Sequence, residues 1–173
     1  MTLLSEQRKD FFMENFSPVF TSILAQNKPA AIAWIKGNND YPNLGGMVGF
    51  FEIPFRGILV NAEIFGLPDT EATGNSAFYG MHIHELGDCT PPFDKSGNHY
   101  NPTNQPHPYH AGDLPPLFGN HGFAWSAFFD YRFSIEDIID RSIIIHRNRD
   151  DFTTQPSGDS GEKIGCGVIK LVH

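Results

Sequence analysis

The stretch GMHIHELGDC, residues 80–89, sets two imidazoles one residue apart, His82 and His84, and a cysteine, Cys89, shortly after them. On a β-strand, residues two apart project to the same face, so this pair can offer two nitrogens to one ion without bending the backbone. Alone, an H-x-H pair in a strand reads more often as plain polarity. Six histidines, at 82, 84, 99, 107, 110 and 146, together with Asp113, change that reading. Four imidazoles suit a tetragonal Cu(II) site, and three imidazoles with a carboxylate suit a closed tetrahedral Zn(II) site. The inventory fills both. In HPYHAGD the three-residue steps His107, His110, Asp113 let a short loop wrap a small ion, where the plain alternative is a turn-rich polar loop. His146 ends the run SIIIH far from the other histidines. By itself it reads as a solvated strand end, but a fold that gathers distant strands would bring it to the same ion.

The elements that must position these residues are strands. After Lys28-Pro29 the chain falls into short β-like runs, AAIAWIKG, GGMVGFFEI, GILVNAEIFG, AFYGMHIHE, FAWSAFFDY and RSIIIHR, separated by Gly, Pro, Asn and Asp. This is the texture of an all-β sandwich or barrel. Two long stretches, residues 86–120 and 147–163, break the pattern. The first carries seven prolines together with His99, His107, His110 and Asp113. Loops of this length in a compact domain are functional or disordered, and one so loaded with ligand types reads as functional. Ahead of the strands, Phe12, Phe16, Val19, Phe20, Ile23 and Leu24 step by three and four, which predicts a helix over residues 6–26 with a kink or restart at Pro18.

At 173 residues and 40% apolar content the chain suits one domain with a proper core. Its 16 phenylalanines read as core rather than contact surface. The net charge of -8 argues against nucleic acid and anionic membranes as partners, and an anionic substrate would need a local positive patch. No apolar run is long enough to span a membrane, and charges interrupt the N-terminus before a signal-type run develops, so the expected location is cytoplasmic. Two cysteines, Cys89 and Cys166, are too few for a secreted disulfide scaffold or a thiolate zinc site. They are either two buried thiols or one bridge.

Five segments, in order, make the resemblance specific: GMHIHELGDC, GNHYNP, HPYHAGDLPPL, DRSIIIHRNRDD and GDSGEKIGCGVI. The sequence resembles the copper/zinc superoxide dismutase family from about Ala30 to Val172. The resemblance implies a Greek-key β-barrel or sandwich, immunoglobulin-like, over residues 29–173, with long metal-binding loops and an extra N-terminal helical extension at 1–28. It implies copper held by His82, His84, His99 and His146, and zinc held by His99, His107, His110 and Asp113, with His99 shared by both ions. Asp150 falls where the family has a carboxylate that orients a copper ligand and a zinc ligand. Read without the family it would be a loop-capping aspartate. Cys89 and Cys166 fall where the family forms its intramolecular disulfide. The implied activity is disproportionation of superoxide to dioxygen and hydrogen peroxide by Cu(II)/Cu(I) cycling with structural zinc. His99 would pass a proton to the product, and the implied partners are a homodimer mate and a copper donor.

The chain departs from the family in places. Lys163, in GEKIGC, stands where the family has an arginine beside copper, which keeps the charge but loses the planar paired donors. Glu162 beside it could offset that charge. The stretch from His146 to Cys166 and the zinc loop between His107 and His110 are shorter than in the familiar eukaryotic enzymes, which would reduce the charged wall that guides the anion; Arg147 and Arg149 flank the last copper ligand and could substitute, while the plainer reading is two solvated arginines. Two alternatives belong to other classes. One is a non-enzymatic copper-binding or storage protein, against which no copper ligand is missing; the other is a zinc-stabilised interaction domain.

Overall fold

The computed structural model describes residues 28–53, 57–68 and 77–173. The helix expected over residues 6–26, and with it the extension at 1–28, lies outside the described residues apart from Lys28. Nine strands follow in order: β1 (Ala31–Gly37), β2 (Gly45–Glu52), β3 (Ile58–Phe65), β4 (Phe78–Tyr79), β5 (Met81–His84), β6 (Leu117–Phe118), β7 (Phe123–Asp130), β8 (Ser142–His146) and β9 (Lys163–Leu171). Seven form one curled antiparallel sheet in the order β5-β8-β9-β1-β2-β3-β7, and β4 pairs with β6 apart from it. Among the described residues the last strand, β9, lies beside the first, β1, in the middle of this sheet. The all-β barrel or sandwich reading holds.

Alternation explains most of the sheet. In β1, Ala31, Ala33 and Ile35 point inward and are buried, while Trp34 and Lys36 point out. Val48, Phe50, Val60, Ile64, Ile143, Ile145, Ile164 and Ile169 complete the same interior. β8 is buried along its whole length. Its second face is covered by a small separate cluster of Phe93, Ile144, Cys166 and Cys89, which is why SIIIH reads as a continuous apolar run. The link from β7, at one edge, to β8, next to the opposite edge, carries the short helix α1 (Ile135–Ile138). Ser134 and Asp137 cap it reciprocally, and Phe133, Ile135 and Ile138 are buried beneath it.

Two expectations are corrected. The run AFYGMHIHE is two strands, because it breaks at Gly80, whose N–H and carbonyl turn to Asn148 and His146. The phenylalanines are not all core. Phe65, Phe123 and Phe129 lie with Trp34 and Trp125 on the outward face of β1, β2, β3 and β7, each 44% to 66% exposed. Register sets this: Trp34 pairs across to Met47, Met47 to Glu63 and Glu63 to Trp125, so all four share the outward parity. Among the described residues no helix is long and apolar enough to cross a membrane.

Candidate metal centre

β5 divides its four residues by parity. Met81 and Ile83 enter the core, while His82 and His84 face the other way, beneath the two long loops. The first loop is stitched onto the strand by backbone bonds: Tyr100 donates to the Ile83 carbonyl (2.8 Å), Ile83 to Gly112 (2.9 Å) and Gly112 to Tyr100 (2.8 Å). These bonds set His99 opposite His84 and Asp113 opposite His82. Gly112 is required here, since a Cβ at this position would stand 2.3 Å from the Ile83 carbonyl oxygen. β8 pairs with β5, and a register shift just before His146 brings that residue opposite Lys163 of β9.

The seven sequence-predicted ligands come together as two buried groups, His82, His84, His99 and His146, and His99, His107, His110 and Asp113. Within each, the donor atoms lie within 4.8 Å of one another. His99 belongs to both. Most rings are tied down through one nitrogen. His82 Nε2 donates to Asp150 (2.8 Å) and His107 Nε2 to the other oxygen of the same carboxylate (2.9 Å). His84 Nδ1 meets the Gly97 carbonyl (2.9 Å) and His146 Nδ1 the Gly161 carbonyl (3.2 Å). A carboxylate or carbonyl only accepts, so the proton sits on the tied nitrogen and the other keeps a free lone pair.

Those other nitrogens are what a cation fits. His82 Nδ1, His99 Nε2, His107 Nδ1 and His110 Nδ1 are buried without a hydrogen-bond partner, and His84 Nε2 faces His146 Nε2 at 3.3 Å. Orphaned buried acceptors converging on two points fit bound ions and fit nothing apolar. The donor chemistry distinguishes the points: four imidazoles suit copper, and three imidazoles with a carboxylate suit zinc. Burial first, then repulsion from neighbouring imidazoles, holds His82 and His84 well below the usual histidine range. Burial is also the main cause that pushes His146 down to about 3. Burial works to raise Asp113, but the hydrogen bond from His99 (2.7 Å) and the nearby imidazoles outweigh it and hold this carboxyl low. All four shifts favour the metal-binding protonation state.

A cavity of about 420 Å³ opens onto both groups and is lined by His84, His99, His110, His146 and Lys163, with Asn98, Asn101 and Asn104 toward solvent. Among the described residues that line it, Lys163 and Glu85 are the charged ones besides the histidines. The ammonium of Lys163 donates to Ser96 Oγ (2.9 Å) and reaches the carbonyls of Gly97 (3.2 Å) and Phe93 (3.4 Å). Its charge is not offset by Glu162, which faces Asn38 instead (3.4 Å). Arg147 and Arg149 are not among the residues that line the cavity. Cys89 and Cys166 form a disulfide that ties the segment carrying Ser96 and Gly97 to β9.

Sequence reasoning missed Gly158 and Arg132. Gly158 (φ +68°) packs against the Asp150 carboxylate, and Arg132 grips the loop that carries His110 and Asp113. Neither has a residue type or spacing that marks it, although the Asp130-x-Arg132 pair at a strand end is a signal of a kind.

A sequence profile described as copper/zinc superoxide dismutase matches residues 45–169. The chain is 32% identical over 133 residues to the Cu-Zn superoxide dismutase of Legionella pneumophila, covering 72% of this chain and 77% of that one. It is 30% identical over 157 residues to the copper chaperone for superoxide dismutase of Homo sapiens, covering 83% and 54%. The crystal structure of a double mutant of an SOD-like protein from Bacillus subtilis superposes with a TM-score of 0.69 at 29% identity, over 82% of this chain and 97% of that one. Several other relatives, extracellular superoxide dismutases among them, are matched over little more than half their length (56% and 55%). Together with the profile match over most of the chain, the paired histidine groups place it: the chain belongs to the copper/zinc superoxide dismutase family.

Proposed function

We propose that the protein is a superoxide dismutase, in which His82, His84, His99 and His146 hold copper and His99, His107, His110 and Asp113 hold zinc. The reaction takes two superoxide anions and two protons to dioxygen and hydrogen peroxide. The observation that carries this reading is the pair of buried four-donor groups sharing His99 at the floor of an open cavity. When bound, copper supplies one-electron exchange, while zinc keeps one oxidation state and holds its ligands in place. The chain's own residues do the rest. Lys163 attracts the anion to the cavity floor. Each N–H of its ammonium has an acceptor within reach, so it offers superoxide charge rather than a spare donor. His99 Nε2 takes up a proton and hands it to the peroxide product. Asp150 fixes the orientation of His82 and His107 together.

A second reading, a copper-binding or copper-delivering protein on the same scaffold, is favoured by the likeness to the copper chaperone. Turnover separates the two. Pulse radiolysis of the protein with copper and zinc verified at one each per chain should give dismutation near the diffusion limit. A loaded protein no faster than spontaneous dismutation would sink the enzyme reading and leave the copper-handling one.

A further inference from the structure

Arg132 follows the end of β7 and faces neither metal group, yet its guanidinium is spent on the zinc side of the centre. Nη1 donates to the His110 carbonyl (3.0 Å) and Nη2 to the Asp113 carbonyl (2.6 Å). The buried Asp130 carboxylate holds the guanidinium in place, accepting from Nε (3.0 Å) and from Nη2 (2.5 Å), and it also accepts the Arg132 backbone N–H (2.9 Å). This is the fork-to-carboxylate geometry that fixes a guanidinium in one orientation.

The two carbonyls are the two ends of one turn. Asp113 N–H returns to the His110 carbonyl (3.2 Å), and the Asp113 carboxylate accepts the His110 N–H (3.0 Å). Gripping both ends fixes the direction from which His110 Nδ1, which makes no hydrogen bond and stands 3.2 Å from Asp113 Oδ2, and the Asp113 carboxylate meet an ion. His82, His84 and His146 have no hydrogen bond to Arg132 in the structure. The influence is therefore confined to the zinc group and to what reaches copper through His99.

We propose that Arg132 is a positioning residue for zinc: by anchoring the His110–Asp113 turn to the end of β7, it preorganises the zinc ligands and sets zinc affinity. The proposal rests on the zinc assignment made above. A residue that merely docked the loop to the barrel would change thermal stability and leave zinc binding alone, and this contrast is the test.

The experiment uses the metal-free, disulfide-intact chain. Zinc affinity is measured by competition with a chromogenic chelator, and the coordination geometry by the visible spectrum of Co(II) bound in place of zinc. Arg132→Met should weaken zinc binding about 10- to 100-fold, the usual effect of losing a partner that orients a ligand, and should shift the Co(II) bands. Arg132→Lys should recover part of the loss, because an ammonium can meet one carbonyl but cannot fork across two. Wild-type zinc affinity with an unshifted Co(II) spectrum in Arg132→Met overturns the proposal, whatever its melting temperature. Should that variant not fold, Arg132→Lys decides alone: weakened zinc binding supports the proposal, and wild-type binding overturns it. Asp113→Ala tests the assignment beneath it. Zinc affinity kept in that variant removes the assignment and the proposal together; zinc lost there but kept in Arg132→Met removes only the proposal.

Discussion

Among the described residues, Asp150 is the one carboxylate that touches a ring of each four-donor group without itself belonging to either, and its place is held by a residue with no side chain. A Cβ on Gly158 would stand 2.0 Å from Asp150 Oδ1 and 2.7 Å from His107 Nε2, at a backbone φ of +68° that disfavours any L side chain. Gly158→Ala is therefore expected to act through Asp150. It should displace the carboxylate from both rings and weaken retention of copper and zinc about 10- to 100-fold, as Asp150→Asn should. The double variant should lose little beyond either single one, because both remove the same contact. Metal retained after dialysis against a chelator measures this, and a Gly158→Ala protein that keeps both ions as wild type does would refute it. Asp150 was legible in the sequence only through the family resemblance, since RDDF alone reads as a loop cap. Gly158 was not legible at all, because nothing in PSGDS says which side chain the turn will press against.

At the scale of elements, β5 and β8 hold the consequence of burying imidazoles in a sheet. His82, His84 and His146 titrate near 6.5 in the unfolded chain, but in the fold they stay neutral to much lower pH, His146 to about 3. Between those limits the unfolded chain binds more protons, so the stability of the metal-free fold is fully present above about 6.5 and is lost as the pH falls below it. The slope is up to about 1.4 kcal/mol per pH unit for each such histidine. Urea unfolding of the metal-free protein should show the midpoint dropping between pH 7 and 5, and a flat profile would show that these rings are solvated. The disulfide works against such loosening, since a crosslink spanning 77 residues contributes about 4 to 5 kcal/mol in the chain-entropy model. Strand existence was readable from period-two alternation in β1 and from the continuous apolar run of β8. The break at Gly80 and the seating of Gly112 against Ile83 were not, because both are set by backbone approaching from elsewhere in the chain. The exposed aromatic face of β1, β2, β3 and β7 was misread for a related reason: composition counts phenylalanines, while register decides which side they occupy.

On the proposed dismutase reading, the whole molecule repels the anion that its cavity must admit. The net charge is -8, and among the described residues Lys163 is the one lysine or arginine lining the cavity. Range decides which field prevails. At about 0.01 M salt the screening length is ~30 Å, longer than a domain of this size is wide in radius, so every surface carboxylate contributes to repulsion; at about 0.1 M it is ~10 Å, and only charges near the cavity still act. The dismutation rate should therefore rise as salt is raised toward ~0.1 M and fall again toward ~1 M, where ~3 Å screening reaches Lys163 as well. Lys163→Met should remove the descending limb, leaving a rate that climbs with salt throughout. At ~0.1 M it should be about fivefold slower, the factor that corresponds to ~1 kcal/mol between unit charges 4 Å apart in water. Pulse radiolysis across that salt range measures both curves. If the wild-type rate falls from the lowest salt upward, attraction outweighs repulsion even unscreened, and a positive path wider than one lysine guides the substrate. Identical curves for the two proteins would mean that Lys163, with its donors engaged by Ser96, Gly97 and Phe93, braces the cavity wall and steers nothing.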